Sequence, residues 1–157
     1  MFEVDIRELQ RGPVATVGEL APDDPTFSGL GFELAAPMSI DGQLQETSDG
    51  EYFWRATLSS ALKASCRRCL TELTVPLEAD VNVMFSTDPD AADDPSVYPL
   101  PEDSRMLDVR TAVREELALS APAFVLCREE CAGLCPTCGA DLNAGACVCV
   151  ASDLTKR

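Results

Sequence analysis

The sequence predicts an α+β fold: a mainly antiparallel β-sheet with one packed amphipathic helix and a C-terminal zinc-knuckle module. Three observations carry that reading. Apolar residues alternate with polar ones through much of the chain before residue 86, one later segment switches to helical spacing, and eight cysteines fall into closely spaced pairs. At 157 residues the chain is long enough to bury a hydrophobic core without cross-links.

Taken in order, "FEVDI" alternates Phe2, Val4 and Ile6 against Glu3 and Asp5, which is strand spacing. Residues 31–66 hold two apolar runs separated by "SDG", a hairpin signal. The run from Tyr52 to Ser65 is too poor in charge for a solvated helix and places Trp54, Ala56 and Leu58 on one face, so it reads as a long strand. After "CRRC", every second residue is apolar through Leu73, Val75, Leu77, Ala79, Val81 and Val83, the clearest strand signal in the chain. Cys66 and Cys69 therefore belong at or beside a hairpin tip.

Residues 88–103 carry six acids and four prolines in sixteen positions and read as a loop with too little apolar content to order itself. In "LDVRTAVREELALSAP", Val109, Val113 and Leu117 recur at i, i+4 and i+8 beside Leu107 and Ala112. That spacing gives an amphipathic helix of about three turns, with Asp108 as N-cap and Pro122 just past its end. The organisation expected is a sheet-plus-helix domain over 1–125 containing the loop 88–103, with a cysteine-rich zinc-binding segment over 126–157 packed on it.

Net charge is −15, from 12 basic and 27 acidic residues. Such a surface repels phosphate backbones and attracts basic proteins. No run approaches eighteen apolar residues and the opening "MFEVDIRELQRG" lacks a basic-then-apolar signal pattern, so a cytoplasmic protein without a membrane segment is expected. In that compartment thiols stay reduced, which argues against a disulfide framework.

The cysteines stand at 66, 69, 127, 131, 135, 138, 147 and 149, pairing as C-x2-C, C-x3-C, C-x2-C and C-x-C. There is no histidine, so any metal site must be built of thiolates. In "CPTCG" the backbone of a zinc knuckle turns its amides onto the first thiolate, Pro136 fixes the turn and Gly139 supplies a left-handed residue. "CVC" completes a tetrahedron, so Cys135, Cys138, Cys147 and Cys149 are expected in one four-thiolate site. Cys66 and Cys69 then take Cys127 and Cys131 as partners in a second. An interlaced arrangement, with Cys127 and Cys131 sharing a metal with other C-terminal thiols, satisfies the spacing too.

Two structural zinc ions are the expected cofactors, and iron is the alternative metal because the same cage holds it. A redox pair at "CRRC" would want a helix after its first cysteine, but strand-patterned "LTELTVPLE" follows. Eight thiols divide evenly into two closed cages, whereas a catalytic zinc keeps an open position. Glu115 and Glu116 point about 100 degrees apart on a helix and read as a solvated face. With no phosphate loop or nucleophile elbow, neither an enzyme nor a small-molecule substrate is expected. Lys63, Arg67 and Arg68 form the densest basic spot and are candidate contacts to nucleic acid or a partner; equally, they are knuckle residues that surround a thiolate site and face water.

Three stretches in this order, "SCRRCL", "LDVRTAVREELALSAP" and "CREECAGLCPTCGADLNAGACVC", resemble the YceD family, the large ribosomal RNA subunit accumulation proteins. The resemblance implies a non-enzymatic bacterial or organellar factor required for 23S ribosomal RNA accumulation and large-subunit assembly. The shared cysteine pair of the family matches Cys66 and Cys69, and its C-terminal block matches Cys127 to Cys149. Many relatives continue with a D-P-R stretch and a short helix where this sequence reads "ASDLTKR". The implied partners are a basic ribosomal or assembly protein and pre-large-subunit RNA, and the acidic balance favours the protein. A zinc-ribbon adaptor of a transcription or other regulatory complex is the alternative function.

Overall fold

The computed structural model describes residues 1–149; residues 150–157, including the stretch "ASDLTKR", lie outside them. Two compact units are present, one formed by Met1–Leu62 with Pro76–Ala121, the other by Lys63–Val75 with the described residues from Pro122 to Cys149. The elements are β1 (Glu3–Asp5), α1 (Ile6–Leu9), β2 (Val14–Leu20), β3 (Glu33–Leu34), β4 (Met38–Ser48), β5 (Glu51–Ser65), β6 (Glu72–Ser86), β7 (Val97–Pro99), β8 (Met106–Asp108) and α2 (Arg110–Ser120). This is an α+β fold whose main sheet runs β2-β4-β5-β6-β7, with β3 added on β5 and a separate antiparallel pair β1-β8.

Alternation makes the core of the first unit. β4 turns Met38, Ile40 and Leu44 inward, β5 turns Tyr52, Trp54, Ala56 and Leu58 inward, and β6 contributes Leu77, Val81, Val83 and Phe85. These side chains share one cluster with Leu107, Val109, Ala112, Val113 and Leu117 from β8 and α2, so the apolar stripe of the helix closes that face of the sheet. At about 25 cal/mol per Å² of apolar surface, each large side chain buried here contributes roughly 1.5–3 kcal/mol.

Register explains one glycine. β2 and β4 pair Thr16 with Gly42, and β4 and β5 pair Gly42 with Ala56 and Leu44 with Trp54. The buried indole N–H of Trp54 crosses β4 to donate to Thr16 Oγ1 at 2.8 Å. A Cβ on Gly42 would lie 2.6 Å from that hydroxyl and 2.9 Å from the indole nitrogen, so the bond needs glycine between its partners.

Three details depart from the sequence reading. Only Glu3–Asp5 of "FEVDI" is strand; Asp5 caps the short helix that begins at Ile6, accepting from the Arg7 N–H. Asp108 is not the N-cap of α2, because it is held in β8 opposite Glu3; the cap position falls to Val109, while the Asp108 carboxylate still accepts the Arg110 N–H at 2.9 Å. Within 88–103 the chain makes a 3-10 turn at Pro89–Asp93 and the edge strand β7, which runs parallel to the end of β6. The Tyr98 ring lies 5.2 Å from that of Phe85, and this one aromatic contact supplies apolar burial that composition hides. Among the described residues no helix is long and apolar enough to cross a membrane.

Candidate metal centres

β5 and β6 are joined at a tip formed by Cys66–Thr71, where the Cys66 N–H donates to Thr71 O at 2.9 Å and the Leu70 N–H to Cys66 O at 2.9 Å. The same two bonds recur at the second turn: Cys135 N–H to Ala140 O at 2.8 Å and Gly139 N–H to Cys135 O at 2.8 Å. "CRRCL" and "CPTCG" are thus one backbone device used twice. In each, the residue after the second cysteine is left-handed, Leu70 at φ 61 and Gly139 at φ 74.

This turn aims amide N–H groups at the first sulfur. The Cys66 thiol is held down at about 6 chiefly by the Cys69 N–H, helped by those of Cys127 and Arg68 and opposed by burial. Cys135 is likewise lowered to about 6, by the N–H groups of Cys138 and Thr137 and by the Cys147 thiol. Cys131 is lowered by the Asn143 amide, whose Nδ2 donates to its sulfur at 3.5 Å, and by the Gly133 N–H.

The eight sulfurs lie in two groups: Cys66, Cys69, Cys127 and Cys131 in one, Cys135, Cys138, Cys147 and Cys149 in the other, with the sulfurs of each group within 4.8 Å of one another. Cys66 and Cys131 are 3.7 Å apart and Cys69 and Cys127 3.6 Å. A tetrahedron with metal–sulfur bonds of about 2.3 Å has edges of about 3.8 Å, so the first group has the span of a four-thiolate cage. All eight carry thiols rather than disulfides.

Protonation points the same way. Desolvation around its sulfur and the neighbouring thiols push Cys127 up to about 12, although the residue's overall surface is exposed. Cys149 rises to about 11, foremost through its contact with the Cys138 sulfur. Four clustered sulfurs cannot all ionise without a cation among them, and a divalent ion removes that obstacle. Both groups can bind metal ions such as zinc.

Supporting residues surround the first group. Arg68 Nη1 donates to Cys131 O at 2.9 Å and to Glu129 O at 3.4 Å, while its own carbonyl accepts from the Leu134 N–H at 3.1 Å. The arginine thereby fastens the segment between Cys127 and Cys135 to the hairpin tip. Gly133 passes so close that a Cβ would sit 3.0 Å from Arg68 O, and its φ of 77 also requires glycine. Asn143 accepts from the Ala132 N–H at 2.8 Å while donating to Cys131. Arg68, Gly133 and Asn143 in these roles escape the sequence reading; the signal for the last two is the unbroken run "AGLCPTCGADLN". Lys63 and Arg67 are exposed at the same tip, with the Arg67 guanidinium 5.7 Å over the Phe124 ring.

The sequence profile of the family described as large ribosomal RNA subunit accumulation protein YceD matches residues 54–157, from Trp54 in β5 through both thiol groups. The chain is 27% identical over 150 residues to uncharacterized proteins of Mycobacterium tuberculosis and Mycobacterium bovis, covering 88% of this chain and 70% of theirs. It is 24% identical over 147 residues to an uncharacterized protein of Mycobacterium leprae, covering 88% of this chain and 66% of that one, just under two thirds of its length. No solved structure matches. With two thirds of its length matched, including every cysteine, the chain belongs to the YceD family of large ribosomal RNA subunit accumulation proteins.

Proposed function

We propose that the protein is a non-catalytic ribosome-biogenesis factor of the cytoplasm, required for 23S ribosomal RNA accumulation and large-subunit assembly, which binds its partner on a scaffold held by two structural zinc ions. The family match that spans both thiol groups carries this reading. Cys66, Cys69, Cys127 and Cys131 hold one ion, and Cys135, Cys138, Cys147 and Cys149 the other. Zinc suits all-thiolate donors in closed cages, where the ion supplies geometry and no redox chemistry. A four-thiolate zinc cage has a formal charge of about −2, and Lys63, Arg67 and Arg68 offset that charge at the first site.

Charge supports a protein partner. Of the residues in the first unit, 22 are acidic and six basic, against a chain total of 27 and 12. That field draws a basic ribosomal or assembly protein, with pre-large-subunit RNA brought along beside it.

The test is sedimentation of the protein with large-subunit precursors, together with the ratio of 23S to 16S ribosomal RNA in cells lacking it. Co-sedimentation that is lost in Cys135→Ser, with 23S RNA depleted in the deletion strain, supports the proposal. Association with RNA polymerase and an unchanged RNA ratio would instead favour a transcriptional adaptor. A coloured, iron-containing preparation would remove zinc from the account.

A further inference from the structure

The two thiol turns share their hydrogen bonds and differ at the left-handed position, where the second has Gly139 and the first Leu70. Leu70 is the only non-glycine residue with positive φ among the described residues. A γ-branched side chain resists that conformation, and glycine at the equivalent place in the second turn does the same backbone work without strain. Packing does not compensate, since Leu70 is 64% exposed. Nearby, the Arg67 guanidinium covers one side of a Phe124 ring that is itself 60% exposed, and the Arg67 N–H donates to Val125 O at 2.9 Å, so both side chains stand on backbone that is tied together. Strain kept at an exposed apolar residue beside an exposed aromatic–arginine pair is how a binding surface is built, because the return comes from the complex.

We infer that Leu70, Phe124 and Arg67 form the contact surface for a protein partner, one that buries Leu70 and Phe124 against apolar surface and offers an oxygen acceptor to Arg67. Leu70 decides between classes of partner. An aliphatic side chain neither stacks on a base nor bonds a phosphate, and only apolar surface rewards its burial. The excess of acid belongs to the first unit, whereas the second, which carries this surface, has five acidic and six basic residues, so Leu70 rather than net charge selects a protein here. This deepens the proposed function by naming its surface and rests on it for the identity of the partner as a ribosomal or assembly protein.

The experiment titrates the full zinc-loaded chain against purified large-subunit precursor particles and, in parallel, against protein-free 23S ribosomal RNA. Leu70→Gly is the central variant, because glycine suits the left-handed backbone at this position and the melting temperature separates lost contact from lost folding. Leu70→Gly and Phe124→Ala are each expected to weaken particle binding tenfold or more, with the melting temperature of Leu70→Gly undiminished. Leu119→Ala, at an exposed apolar residue of α2, is expected to bind as the parent does. Parent-like binding by both Leu70→Gly and Phe124→Ala would overturn this surface while leaving the biogenesis role intact. Equal affinity for protein-free RNA, lost in the same variants, would overturn the protein partner in favour of nucleic acid. Absence of parent binding to either probe would overturn both the surface and the role.

Discussion

Trp54 and Thr16, separated by the whole width of β4, are joined by a 2.8 Å hydrogen bond that passes over Gly42. Replacing Thr16 with valine keeps the shape and strands a buried indole N–H, a loss of about 1–3 kcal/mol. Gly42→Ala forces a methyl group against backbone-anchored neighbours and costs a similar amount, about 1–3 kcal/mol. Urea denaturation monitored by tryptophan fluorescence measures both. A double variant that loses no more than either single one would show that they break the same contact.

Leu70→Gly is expected to stabilise the chain. Left-handed backbone costs an ordinary residue about 1–2 kcal/mol, and the added flexibility of glycine in the unfolded chain returns roughly 0.5–1 kcal/mol of that. The net gain is on the order of 0.5–1 kcal/mol, readable as a small rise in denaturation midpoint with an unchanged slope. A fall in stability would show that the exposed leucine packs in solution.

The two metal ions proposed for these groups are expected to leave in order. In the first group Cys66 and Cys131 are buried, and the contacts link residues 58 and 65 positions apart. The second group is local in sequence, and its Cys138 is exposed. A chelator titration followed by native mass spectrometry should therefore pass through a one-zinc species. Cys138→Ser should yield that species with only a modest change in melting temperature. Cys66→Ser should also lose one zinc but with a much larger fall, since the hairpin tip and the Cys127–Cys131 segment lose their shared anchor.

Acid should weaken the structure at both turns. The Cys66 and Cys135 thiols are lowered from about 9 to about 6, so their ionised forms favour the folded chain. Their contribution is fully present above pH of about 9 and is lost as pH falls through about 6. Cys127 and Cys149, raised to about 12 and about 11, have the opposite sign: without metal, the folded chain loses their contribution as pH climbs from about 9 toward those values. Ultraviolet thiolate absorbance of the metal-free chain should show an early step near pH 6 and a late one above pH 10. With zinc bound the late step should vanish, and metal should be released on acidification.

Spacing made much of this legible. Period-two apolar positions in 73–83 locate β6, and the i, i+4, i+8 recurrence from Val109 locates α2. Spacing makes the thiol pairs legible, but which pairs share a group comes only from the structure, since an interlaced arrangement satisfies the same spacing. What stayed hidden depends on distant neighbours. β7 forms because Tyr98 finds Phe85, a contact that acid and proline content mask. Gly42 looks like a weak point in a strand until Trp54 and Thr16 are seen on either side of it. Arg68, which reads as a surface charge, spends its guanidinium on the carbonyls of Glu129 and Cys131.

The reach of the first thiol group has a consequence in time. Cys66 and Cys69 leave the ribosome roughly 60 residues before Cys127 and Cys131, which at about 5–20 residues per second is several seconds. During that interval the hairpin holds half a cage, with one thiol already primed for ionisation by its own turn. Closure can come only after α2 has been made, so the first cage records that the chain between its halves has been delivered.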